Sequence, residues 1–245
     1  MIQLFHPGRQ AAYTYKDYGV AYGPSDQDFP FLDYPVTGMT EEQVDNLIAD
    51  FAAATRRAIL AGFDGVEIHG ANHYLLQQFF SAYSNHREDA WGGDLERRMA
   101  LPLAVLRAVK GAAQEMGAEV FIIGYRLSPE EIHGENVGYQ LEETLALVEA
   151  LADVGLDYVH TSGARGFANQ ATRGTYAGEA INPLIRDALA GRALLVGAGD
   201  VTSADKALEA LDYVDLVARK RFRWTSRVVW LTWPCRASFT AWREL

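Results

Sequence analysis

The chain is 245 residues long, 49% hydrophobic and 22% charged, with a formal net charge of −10 and a pI near 5.1. That length allows one α/β domain to bury a large core, and the acidic balance excludes nucleic acid or an anionic membrane as the main partner, since both reward clustered basic surface. The single cysteine, Cys235, rules out a disulfide framework or a cysteine-built metal cluster, and no run reaches the roughly 18 apolar residues of a membrane span, so a cytoplasmic location is expected.

A strand-like stretch, Ile2 to Phe5, opens the chain with no turn or helix before it, as though the sequence began inside an architecture. The first helix is predicted from Thr40, where "TEEQ" has the capping-box form, through Val44, Leu47, Ile48, Phe51, Ala58 and Ile59 on one apolar stripe. Strands follow at Gly65 to Ile68, Val120 to Tyr125, Tyr158 to Thr161, Ala193 to Val196 and Val214 to Ala218, short and apolar like strands buried on both faces. Between them the pattern is helical over about Leu95 to Met116, Leu141 to Val154, Ile181 to Leu189 and Ser203 to Leu211. Glycines stand just past several helix ends, as at Gly62, Gly117 and Gly155.

Strand, helix and strand in alternation imply a parallel sheet with right-handed crossovers. No G-x-G-x-x-G follows the first strand, which disfavours a dinucleotide-binding open sheet. The expected fold is therefore an α/β barrel of the TIM (β/α)8 type, incomplete, with about six of the eight units. In such a barrel the chemistry sits where strands end. The stretch "GVEIHGANHYLLQQF" places His69, Asn72, His73 and Tyr74 there. A lone histidine at a strand end is more often structural than catalytic, but four neutral hydrogen-bonding groups together raise the functional reading.

Residues 61 to 106, "AGFDGVEIHGANHYLLQQFFSAYSNHREDAWGGDLERRMALPLAVL", strongly resemble the old yellow enzyme family of FMN-dependent oxidoreductases, in particular its bacterial NADH:flavin oxidoreductase branch. The resemblance rests on a histidine and an asparagine three apart, a tyrosine two further on, then S-N-x-R-x-D-x-x-G-G and E-x-R. "QLFHPGR" at the start, "FIIGYRLSPEE" at 121 to 131 and "VGAGDV" at 196 to 201 occur in the same order, so it covers roughly residues 1 to 218. It implies an FMN-holding barrel that this chain enters at the third strand. The implied reaction passes hydride from NAD(P)H through the flavin to a small electron-poor alkene or similar acceptor.

The resemblance also implies roles for individual residues. His69 and Asn72 are the pair that donates hydrogen bonds to the acceptor oxygen, and Tyr74 supplies a proton to the α-carbon, since a phenol keeps its proton at neutral pH. Gln3 pairs with the polar edge of the flavin pyrimidine, Arg126 lies near its N1 and O2 edge, and Gly199 belongs to the loop that approaches the phosphate. The second phosphate loop departs from the family: "DLVARKRFRW" has Lys220 where glycine belongs and Arg221 in the arginine's place. His73 lies outside the pattern and is expected to be a loop residue, and no metal centre is expected. The lysines, Lys16, Lys110, Lys206 and Lys220, do not fall at mouth positions suited to an aldolase.

Residues 219 to 245 hold four of the five tryptophans and seven of the 22 basic residues, but one of the 32 acidic ones. The expected organisation is a partial FMN-binding barrel over 1–218 and a divergent basic, tryptophan-rich tail over 219–245, read here as translated out of the ancestral frame. The alternative to catalysis is a remnant that holds no FMN and self-associates through exposed strand edges. The residues leave homo-oligomerisation open.

Overall fold

The computed structural model describes residues 1–163, 166–199, 201–219 and 229–231. In chain order the strands are β1 (Ile2–Leu4), β2 (Tyr22–Gly23), β3 (Thr37–Gly38), β4 (Gly65–Gly70), β5 (Ile122–Leu127), β6 (Glu131–His133), β7 (Asn136–Tyr139), β8 (Tyr158–Ser162), β9 (Leu194–Ala198), β10 (Leu216–Arg219) and β11 (Val229–Leu231). The α-helices are α1 (Ala12–Tyr18), α2 (Glu41–Leu60), α3 (Leu75–Phe80), α4 (Leu95–Glu115), α5 (Leu141–Val154), α6 (Ile181–Leu189) and α7 (Ala204–Ala210). β1, β4, β5, β8, β9 and β10 lie side by side in that order, each neighbouring pair parallel, and β11 joins β10 antiparallel. This is the α/β architecture of a TIM-type barrel with six parallel strands described where a closed barrel has eight.

Local signals account for the long helices. At the start of α2 the Thr40 hydroxyl accepts from the Gln43 backbone N–H at 3.2 Å, and the Gln43 side chain accepts from the Thr40 N–H at 2.9 Å, so the capping box forms as expected. Its stripe of Val44, Leu47, Phe51 and Ala58 is buried, and Gly62 follows with φ 79°. The sequence pattern does not announce α1, α3 or the β6–β7 hairpin. α3 is six residues long and buried on every side, so it carries no amphipathic period to detect.

The strands differ from the expectation of two apolar faces. Val66, Ile68, Ile123, Tyr125, Leu127, Val159, Leu195 and Val217 face the helices and belong to the main core. The opposite face is mixed. Register aligns Gln3, Glu67, Gly124 and Tyr158 in one row and His69, Arg126, His160, Val196 and Leu216 in the next. Polar groups thus fill the side that would line a barrel interior. Tyr158 fits there only because its neighbour is Gly124, where an added Cβ would lie 2.0 Å from the Tyr158 ring. Gly124→Ala is expected to destabilise the fold by about 1–3 kcal/mol through overpacking, read as a lower urea midpoint, and an unchanged midpoint would contradict this packing.

Candidate active site

The C-terminal ends of β4, β5 and β8 converge with the loop after β9, and the polar residues singled out in the sequence lie along this edge. His69 is 3% exposed on β4. Its Nδ1 accepts from the Ala71 backbone N–H at 3.2 Å, so the proton of the neutral ring resides on Nε2, which is thereby a donor. Burial and the neighbouring Arg126 guanidinium push the His69 pKa down to about 4, keeping the ring neutral at physiological pH. Tyr74, at the N-cap of α3, meets the His69 ring edge-on with centroids 4.9 Å apart.

Asn72 and His73 both adopt left-handed backbone conformations, φ 56° and 60°, which cost non-glycine residues energy. Hydrogen bonds hold them in place. The Asn72 N–H donates to the Ser128 hydroxyl at 3.0 Å and the His73 N–H to Gln77 Oε1 at 2.8 Å, while Gln78 donates to the His73 carbonyl at 2.6 Å. The Asn72 side-chain oxygen accepts from the Ser162 hydroxyl at 2.9 Å, leaving its amide N–H groups for another acceptor. Ser162 in turn accepts from Arg126 Nη2 at 3.0 Å. Asn72 and Arg126, assigned to acceptor and flavin respectively, therefore share one hydroxyl.

The deeper inner row is a buried carboxylate network. Glu67 on β4 accepts from the Gln3 side-chain amide, from the Tyr158 hydroxyl at 3.0 Å and from His160 Nδ1 at 2.9 Å. Burial alone would raise the Glu67 pKa, but these donors outweigh it and the carboxyl titrates below its usual value. Gln3 was expected to meet a flavin edge with both ends of its amide. The structure commits one of its two amide N–H groups to Glu67, so its oxygen and its second N–H are left for a ligand.

The same edge carries groups that await a partner. Arg126 Nε and His160 Nε2 are buried without a hydrogen-bond partner, and Arg126 forms no carboxylate ion pair among the described residues. A fixed cation beside unsatisfied polar atoms suits a polar, anionic ring system. Gly199 follows β9 with φ 109°, and a Cβ there would meet the Gly166 Cα at 2.9 Å and the Gly163 carbonyl at 3.3 Å. The Gly199 and Gly166 backbones therefore approach too closely for a Cβ on Gly199, the kind of close main-chain packing that glycine permits. The donor set fits FMN. Arg221, Lys220 and all of the tail except 219 and 229–231 lie outside the described residues.

The S-N-x-R-x-D-x-x-G-G motif holds the surrounding loops rather than pointing into the site. Asn85 donates to the carbonyls of Phe79 and Trp91 at 2.6 and 2.8 Å, while Arg87 pairs with Asp89 and donates to the Pro24 and Met39 carbonyls. A Cβ on Gly92 would sit 2.5 Å from Asn85 Oδ1. Arg98 of the E-x-R motif ties the Phe80 carbonyl to Glu143 of α5. Sequence reasoning missed Phe5, whose ring packs 5.3 Å from Tyr74 and 6.4 Å from His69. It also missed Glu67, His160 and Ser162. The available signal was the two-residue spacing of polar side chains in "GVEIH" and "YVHTS".

Comparison with known proteins agrees with this arrangement. Residues 1–221 match the family model described as NADH:flavin oxidoreductase / NADH oxidase. The chain is 42% identical over 222 residues to the probable NADH-dependent flavin oxidoreductase YqiG of Bacillus subtilis, covering 90% of this chain and 59% of that protein. Over 124 residues it is 56% identical to the NADH:acrylate oxidoreductase of Vibrio harveyi, covering 51% of this chain and 12% of that one. Among solved structures it superposes on the old yellow enzyme homologue of Zymomonas mobilis with TM-score 0.69 at 27% identity, covering 88% of this chain and 61% of that one. Morphinone reductase in complex with tetrahydroNAD gives TM-score 0.68 at 25% identity over 88% and 60%. No described helix is long and apolar enough to cross a membrane. The 245-residue chain belongs to the NADH:flavin oxidoreductase / NADH oxidase family, with the incomplete TIM barrel that its sequence resemblance implied.

Proposed function

We propose that this chain provides the acceptor-binding and flavin-binding edge of an FMN-dependent oxidoreductase that reduces a small electron-poor alkene or similar acceptor. The observation that carries the reading is the pairing of a neutral His69, with its proton on Nε2, and a half-buried Arg126 that has no carboxylate partner among the described residues. FMN bound here would supply the hydride-transfer chemistry between NAD(P)H and the acceptor. Arg126, the free polar atoms of Gln3 and the Gly163, Gly166 and Gly199 backbones would hold it.

His69 Nε2–H and the Asn72 amide donate to the acceptor oxygen, stabilising the negative charge that grows on it as the β-carbon is reduced; lost donors of this type cost about 2.7–4 kcal/mol in other enzymes. A neutral donor suits that task, because it binds acceptor without attracting unrelated anions. Tyr74 delivers its hydroxyl proton to the α-carbon, and Phe5 packs on its ring to restrict its orientation. The chain spans about 59% of the length of YqiG, so its own turnover is part of the proposal.

A second reading is favoured by β1, which among the described residues has β4 as its single strand neighbour, with Ile2 and the following Phe5 exposed. Such an edge supports self-association without flavin. FMN titration of the purified chain separates the two. Saturation near one FMN per chain supports the enzyme, with Arg126→Met weakening binding about 10–100-fold through loss of a charged hydrogen-bonding partner. No binding, with concentration-dependent oligomers on size exclusion, supports the second reading.

In a flavin-loaded protein, Tyr74→Phe should leave reduction by NADH unchanged and slow reoxidation by an enone about 10²–10⁴-fold, the usual range for a lost general acid. Equal slowing of both half-reactions would remove Tyr74 from that role. His69 makes a pH prediction for the protein without ligands. The unfolded imidazole takes its proton near pH 6.5, whereas the folded one resists until about 4. Stability from this group is thus present above about pH 6.5 and is lost as the pH falls towards 4. His6, also lowered by burial, acts in the same direction. The difference in urea midpoint between parent and His69→Gln isolates the His69 share and should shrink across that window; a pH-independent difference would contradict the assignment.

A further inference from the structure

Beside the candidate active site, on the other side of the strained loop, lies a second cluster. His73, Glu131 and His133 each present one ligand atom, and these atoms lie within 4.8 Å of one another. Glu131 is 1% exposed, yet among the described residues its Oε1 accepts no hydrogen bond; Arg9 Nη2 at 3.7 Å and His73 Nδ1 at 3.8 Å stand near it, both too distant to donate. A buried carboxylate oxygen without a donor is costly and calls for a partner. Its other oxygen accepts from Gln77 Nε2 at 3.0 Å, which fixes the plane of the carboxylate.

The supporting structure is that of a ligand site. Gln77 also accepts from the His73 N–H, so one amide positions two of the candidate ligands, as second-shell groups do around metals. His133 lies two residues beyond Glu131 on β6, which turns through Gly134 (φ 63°) into β7. The His73 and His133 rings are 5.0 Å apart. Two imidazoles and one carboxylate form a three-ligand set that suits a borderline divalent ion with an open position for water. Ligand bonds of about 2.0–2.2 Å place tetrahedral ligand atoms roughly 3.4 Å apart. The remaining closure falls to two imidazoles at the surface, His73 being 36% exposed and His133 exposed.

We propose that His73, Glu131 and His133 form a binding site for a zinc-class divalent cation, which clamps the β6–β7 hairpin to the loop carrying Asn72 and Tyr74. Zinc therefore holds the acceptor-binding loop from outside the flavin site, and its binding is independent of FMN. Arg9 lowers the affinity by charge repulsion but does not occupy the free oxygen.

The test is calorimetric titration of the chelator-treated 245-residue chain with zinc chloride at pH 7.5, alongside His73→Ala, His133→Ala and Cys235→Ser variants. The His133 change alters one exposed hairpin side chain, and circular dichroism confirms that its fold matches the parent. One saturable zinc per chain is expected, weakened at least about tenfold in each histidine variant and unchanged in Cys235→Ser. Binding should also weaken at pH 5.5, because imidazole must lose its proton to ligate. No saturable binding by the parent, undiminished binding by the His73 and His133 variants, or loss of binding in Cys235→Ser would each overturn the proposal.

Discussion

The fold's organisation depends on the Glu67 carboxylate. A buried anion on the inner face of a parallel sheet demands donors, and those available come from two strands: Gln3 of β1, and Tyr158 and His160 of β8, reaching across to β4. Tyr158 can approach because the intervening β5 residue is Gly124. The network thus fixes which strands curve towards one another, and it does so on the side opposite the apolar core. The main core of Val66, Ile68, Ile123 and Val159 holds the sheet to the helices, while Glu67 and its donors shape the concave surface.

Two residues further along each strand, the same alternation brings His69, Arg126 and His160 into a row. Their electrostatics are divided by partner. His69 receives a backbone N–H and stays neutral, His160 leans on Glu67, and Arg126 has one hydrogen bond to a serine and no described counter-ion. A half-buried guanidinium is commonly set against a carboxylate, and none of the described residues supplies one here.

Most of the scaffold was legible in the sequence because it is periodic or punctuated. α5 and α6 match their predicted limits, and the six parallel strands were located to within about two residues at most ends, since glycine ends and apolar stripes are local signals. α3 was not legible: a six-residue helix buried all round has no polar face. The site was legible through its motif, which names His69, Asn72, Tyr74 and Arg126, but the motif does not tell which residues merely hold the others. Asn85, Arg87 and Gly92 stand in the same signature and tie loops together. The two-residue spacing marks Ser162 and Glu67 as inward-facing but does not tell what they hold, because their partners lie far away in the chain.

The consecutive left-handed residues Asn72 and His73 limit how this loop can vary. Asparagine and histidine are among the few side chains that tolerate such backbone angles, whereas valine, isoleucine or threonine would clash with their own main chain. The acceptable alphabet at both positions is therefore small before any chemistry is considered. In a mutational library, glycine, asparagine and aspartate should dominate the folded survivors at position 73, so that recovery of histidine over those residues would report selection for something other than shape.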